Sequence, residues 1–208
     1  MKTSEEVLFF IKYMNNGDMP LQQNVSYLGE QLRELLFSEF KIFFGEENVK
    51  TKWRATDEST DDFDGSYMYT PETDLIVKPF NISREITRDN KLINDALSKY
   101  LDFLKEINSF AQVPFQENLL NKNPRCFIAI EVGGSGSEKH LLGDMYNASV
   151  LGKVGFVVGA NPTIVKTYQR LYDYTNFAYT VGKTNQSFGN LAVLDGSPLL
   201  SFLKSKYG

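Results

Sequence analysis

The stretch RCFIAIEVGGSGSEKHLLGDMYNASVLGKVGFVVG, residues 125–159, decides the fold. Its first apolar run, 126–130, ends on a single carboxylate, Glu131. A glycine-serine turn follows at 133–137, then a helical pattern over 138–151 and a second apolar run over 154–158. The order is strand, loop, helix, strand. A short buried strand ending in an acid, with a flexible loop beyond it, is where α/β proteins place chemistry.

The flanking sequence supplies support for this unit. Residues 4–15 and about 24–44 read as helices; the second carries the stripe Leu28, Leu32, Leu35, Leu36, Phe40 and Phe43, and Gly45 stops it. Residues 49–54 read as a polar-faced strand, and 67–80 as a strand pair or one bent strand ended by Pro79. The acidic segment 57–65 lacks the acids of a calcium loop at its first and last positions, with Thr60 and Pro71 there, and reads as a solvated loop. Residues 89–109 form one strong helical pattern, 112–124 a loop, 163–172 a helix, 189–194 a short strand and 197–204 a closing helix. Strands separated by helices predict an α/β fold, a central mixed sheet flanked by helices. Gly143 and Ala148 are the small residues expected to bring the helix over 138–151 close to the sheet or to another subunit.

The 208 residues suit one domain with its own core. No apolar run is long enough for a membrane span, and acids precede the apolar residues of the N-terminus, so a membrane and a secretory signal are not expected and the cytoplasm is. One cysteine, Cys126, permits no internal disulfide and no cysteine zinc site; it reads as a buried strand residue. A net charge of −4 counts against a dedicated nucleic-acid binder but allows an enzyme that meets DNA on one face.

Two acids interrupt or end apolar strands: Asp74 precedes Leu75-Ile76-Val77, and Glu131 follows Phe127-Ile128-Ala129-Ile130. A carboxylate in such a place needs a partner. Two of them on neighbouring strands make a site for a hard cation such as magnesium, which takes few protein ligands. With Pro71-Glu72-Thr73-Asp74, the strand behind it, and Glu131 on the next core strand before a helix and a further strand, the chain resembles the PD-(D/E)xK nuclease superfamily, the restriction-endonuclease-like fold. The resemblance covers roughly 24–158, leaving 1–23 as an N-terminal helix and 159–208 as a helix-strand-helix extension.

That resemblance implies a magnesium-dependent nuclease, with manganese as the substitute metal and DNA as the partner. Asp74, Glu131 and the carbonyl of Val132 would hold the metal, with Glu34 on the long helix as a further ligand through water; on spacing, Glu30 or Glu39 serves equally well. Enzymes that cut both strands are often two-fold dimers, so a homodimer is a consistent assembly. The family lysine would fall on Gly133, and the sequence Glu131-Val132-Gly133 lacks it. Lys139 at the following helix start is the first substitute; Lys78, on the same side of its strand as Asp74, is the second; Lys153 is the third. Without a substitute, the same fold would serve as a silent binding or assembly protein.

Three other features carry alternatives. The loop Gly134-Ser135-Gly136-Ser137 before a helix can bind a phosphate, of a nucleotide or of DNA, although Glu138 and His140 depart from a P-loop. His140 and Asp144, four apart, read as a surface ion pair or as an acid–base pair. Tyr168, Tyr172, Tyr174, Phe177 and Tyr179, with Lys166 and Arg170, read as core or dimer surface ahead of a base-stacking surface.

Overall fold

The computed structural model describes residues 23–54, 71–80 and 91–206. The helix expected at 4–15 and the acidic segment 57–65 lie outside the described residues. The fold is α/β. Among the described residues, five strands form one mixed sheet in the order β1 (Val49–Trp53), β2 (Thr73–Phe80), β3 (Cys126–Gly133), β4 (Gly152–Gly159) and β5 (Leu191–Asp195). The pairs β1–β2 and β2–β3 are antiparallel; β3–β4 and β4–β5 are parallel.

Helices cover both faces, which is why β4 is buried along its whole length and reads as an uninterrupted apolar run. On one face, α1 (Gln23–Phe44), α2 (Lys91–Lys99), α3 (Leu101–Phe110) and α6 (Gly196–Ser205) pack Leu32, Leu36, Phe40, Leu104, Ile107 and Leu199 against Leu75, Ile128, Ile130 and Phe156. On the other, the crossover helices α4 (Glu138–Leu151) and α5 (Pro162–Thr180) pack Leu141, Met145, Ala148, Val165 and Tyr168 against Val157, Leu191 and Val193. Among the described residues, β1 is an edge strand. Its exposed Thr51 and Lys52 keep that edge polar.

Local chemistry sets the element ends. Gly45 leaves α1 at a φ of 94°, and its N–H bonds the Lys41 carbonyl at 3.0 Å. Asn161 caps α5 by accepting from the Ile164 N–H at 3.1 Å, with Pro162 in the first turn.

The single helix expected over 89–109 is two among the described residues, α2 and α3, broken at Tyr100. Tyr100 leaves helical geometry at φ −108°, ψ 17°, and its ring packs 4.8 Å from Phe44 and 5.9 Å from Phe127. The 3.6-residue pattern runs through a break of one residue and hides it. Helix α5 continues to Thr180 rather than stopping near Tyr172. Tyr172 is its last buried residue, and the two turns beyond carry Tyr174, Phe177 and Tyr179 into solvent. The aromatic cluster is therefore split, with Tyr168 and Tyr172 in the core and three rings outside. No helix among the described residues is long and apolar enough to cross a membrane.

Of the two small residues expected to bring α4 to the sheet, Ala148 is buried against it and faces a third, Gly155, on the strand. A Cβ on Gly155 would stand 2.7 Å from the Ala148 carbonyl oxygen, whereas a Cβ on Gly143 would meet nothing within 4 Å. Gly155→Ala should therefore cost about 1–3 kcal/mol, because backbone must move. Gly143→Ala should stabilise by up to about 1 kcal/mol through helix propensity. Urea unfolding of the two variants measures both; a Gly155→Ala protein as stable as the parent would contradict this packing.

Candidate active site

Asp74 is the second residue of β2, and Glu131 lies near the end of β3. Leu75 pairs with Ile130, so one further step of this antiparallel register sets Asp74 opposite Glu131. Opposed residues share a face, here the one covered by α4 and α5. The two acids are joined through backbone. The Asp74 N–H donates to Glu131 Oε2 at 3.4 Å, and the Val132 N–H donates to Asp74 Oδ2 at 2.9 Å.

A cation arrives from α1. Arg33 Nη1 donates to Asp74 Oδ1 at 2.9 Å, while its Nη2 lies 3.6 Å from Glu30 on the same helix. Glu34, the acid expected from α1, is exposed; its neighbour Arg33 is the residue that reaches the strand end. One turn before Arg33, Gly29 lies against the loop after β3, where a Cβ would come within 2.6 Å of Gly134 Cα. Absence of a side chain at Gly29 thus brings α1 to the site.

Glu131 is 4% exposed, and its Oε1 has no hydrogen-bond partner. Burial, then the charges of Asp74 and Asp144, push its carboxyl well above the ordinary carboxylate range; the Asp74 N–H and the Asn147 side chain offset part of this. Asp144, on α4, accepts a hydrogen bond from the Tyr168 hydroxyl at 2.9 Å. Burial raises Asp144 to about 6; Tyr168 and His140 oppose the rise, and Asp74 adds to it. Burial also holds the Tyr168 hydroxyl well above its usual range, so it remains a donor.

The surface ion pair expected for His140 and Asp144 is not what forms. Asp144 turns inward to Tyr168, and His140 Nδ1 lies 3.3 Å from Ser137 Oγ. Burial of the α4 face against β3 and β4 makes the inward position available.

Position 133, where the resemblance would place a lysine, is closed. A Cβ on Gly133 would stand 2.5 Å from the Tyr168 hydroxyl and 2.9 Å from Ile164 Cγ2. Of the substitutes, Lys78 places its ammonium 5.6 Å from the Phe80 ring centre, and Lys139 is exposed in the first turn of α4. Lys153 is buried at the start of β4, four residues before Val157, the residue beside Glu131 in the parallel register. Gly134 is buried, while Ser135, Gly136 and Ser137 are exposed ahead of α4. Glu138, the misfit in a P-loop, is engaged in an ion pair with Arg170.

Among the described residues, no group of three or more His, Cys, Asp or Glu side chains is placed to hold a metal ion. What Asp74 and Glu131 provide is two carboxyl groups on opposed strands, with Glu131 Oε1 buried and unpartnered. That donor set fits a hard cation that keeps most of its water.

Arg33, Asp144, Asn147 and Tyr168 complete the site without having been read from the sequence as its members. Asp144 had a signal. It stands three residues after Leu141 and four before Ala148, both buried, so helical spacing places it on the covered face. No family model, curated protein or solved structure matches the chain.

Raised carboxyl pKa values destabilise the fold as pH rises. Below about pH 4 both folded and unfolded chains hold these protons. Above it the unfolded chain releases them while the raised carboxyls of the folded chain hold theirs, Asp144 until about pH 6. In the absence of divalent cations, stability should fall as pH rises from roughly 4, the ordinary carboxylate range, through about 6, where Asp144 ionises. Glu131→Gln should flatten that fall and stabilise by on the order of 1–3 kcal/mol at the upper end. Urea midpoints across this window test it; parallel pH profiles for the two proteins would contradict it.

Proposed function

We propose that the chain is a magnesium-dependent nuclease that hydrolyses DNA phosphodiester bonds, with manganese able to substitute. The observation that carries this reading is the opposition of Asp74 to Glu131 across β2 and β3, with Glu131 Oε1 buried and unpartnered. The resemblance of Asp74 and Glu131 to the paired acids of PD-(D/E)xK nucleases supports it, as does their setting in a mixed sheet behind a long helix.

Asp74, Glu131 and the carbonyl of Val132 would hold the metal. When bound, magnesium supplies polarisation of a phosphoryl oxygen and a lowered pKa for a coordinated water. The protein's own part begins with protons. Glu131 gives up its proton to become a ligand, so loading is favoured by rising pH. Asp144, near its midpoint about pH 6 and held by Tyr168, can take up or release a proton beside the pair. The exposed backbone of Ser135, Gly136 and Ser137 leads into the start of α4, where N–H groups and the helix dipole favour a DNA phosphate. Lys139, exposed in the same turn, is free to approach the phosphate backbone. DNA is the partner, a homodimer is the assembly that would cut both strands, and the cytoplasm is the compartment.

A second reading has its own observation. The Gly133 position has no room for the motif lysine, and both Asp74 oxygens are hydrogen-bonded. A silent nuclease-fold protein that binds without cutting would look the same.

Purified protein should nick supercoiled plasmid with manganese or magnesium and not with chelator. Asp74→Asn and Glu131→Gln should each lower the rate by about 10²-fold or more. Gel analysis of timed reactions decides between the readings. DNA left intact at every metal tested, over supercoiled, linear and single-stranded substrates, would leave only the silent scaffold.

A further inference from the structure

We infer that Arg33 serves this site in two positions, closing Asp74 in the metal-free protein and turning to a substrate phosphate when a cation takes Asp74. The inference rests on the nuclease reading and assigns the cationic role that the motif leaves empty.

The need for a cation from elsewhere is steric. No side chain fits at Gly133, because the Tyr168 hydroxyl and Ile164 hold that space. Among the described residues, Arg33 is the cationic side chain hydrogen-bonded to the acid pair. Its guanidinium lies at the boundary of the site, with 23% of the side chain exposed, between Asp74 inside and Glu30, 61% exposed, outside. A planar guanidinium has five N–H donors, so the bond to Asp74 leaves others for phosphate oxygens.

The position is built. Arg33 follows Leu32, fully buried, and precedes Leu36, also fully buried, so the helix cannot turn it away without unpacking its stripe. Gly29 sets the depth of α1 by direct backbone contact with Gly134. Because Arg33 bonds Asp74 Oδ1, a cation bound to that carboxylate would stand beside the guanidinium's like charge. Metal and arginine therefore compete for Asp74. Once displaced, the guanidinium stays tethered beside the strand end, where a phosphate bound at Asp74 and Glu131 would lie.

Competition separates this role from a purely structural ion pair. Arg33→Gln should bind manganese on the order of tenfold more tightly by titration calorimetry, because a positive charge beside the ligand is gone. The same variant should cut DNA about 10²-fold more slowly at saturating metal, because charge stabilisation at the phosphate is lost. Arg33→Lys, which keeps the charge but not the fork, should fall between the two on both measurements. Manganese affinity unchanged in Arg33→Gln, with wild-type binding and cleavage intact, would overturn the inference and leave the nuclease reading standing. Tighter binding with undiminished cleavage would overturn the phosphate half. Wild-type protein that takes up no manganese would overturn both together.

Discussion

A carboxyl group at 4% exposure, facing a second acid across two hydrogen-bonded strands, is the constraint on which the site depends. Glu131 sits where water cannot solvate its charge, and its surroundings supply too few donors to replace that water. A neutral carboxyl relieves the strain in the resting protein; a bound cation would relieve it differently and reverse the protonation. Arg33 already answers half of the problem by pairing with Asp74, which leaves Glu131 as the group still lacking a full set of partners.

The rest of the architecture brings the required groups to that place. Gly155 and Gly133 lie under α4 and α5 where any Cβ would collide. Their bareness lets Asp144 and Tyr168 descend onto the sheet beside Glu131. Gly29 does the same for α1 from the other side, and Arg33 follows. The site is thus assembled from three close approaches, and the acids themselves contribute little to the packing. Such closeness also fixes glycine at position 133: the tyrosine that supports Asp144 fills the volume a side chain there would need.

Much of the scaffold was legible because it rests on local patterns. The helix over 138–151 and the apolar runs on either side follow from period and glycine punctuation, and they appear with nearly the same bounds. Asp74 and Glu131 were legible because an acid beside an aliphatic run is conspicuous. Their opposition was not, since register is set between strands 57 residues apart. Arg33 was hidden among the ordinary charged residues of an amphipathic helix, where only the tertiary fold separates it from Glu34. The break at Tyr100 and the exposed end of α5 were missed for a related reason: helical spacing reports which residues could be buried, and neighbours decide which are.

The proposed site requires Glu131, whose neutral form burial favours, to become a carboxylate when a divalent cation binds beside Asp74. Difference infrared spectroscopy on manganese addition reads that change directly. The account predicts loss of a protonated-carboxyl C=O band and gain of carboxylate absorption, with the signal absent in Glu131→Gln. A spectrum unchanged by manganese, or the same change in the variant, would contradict it.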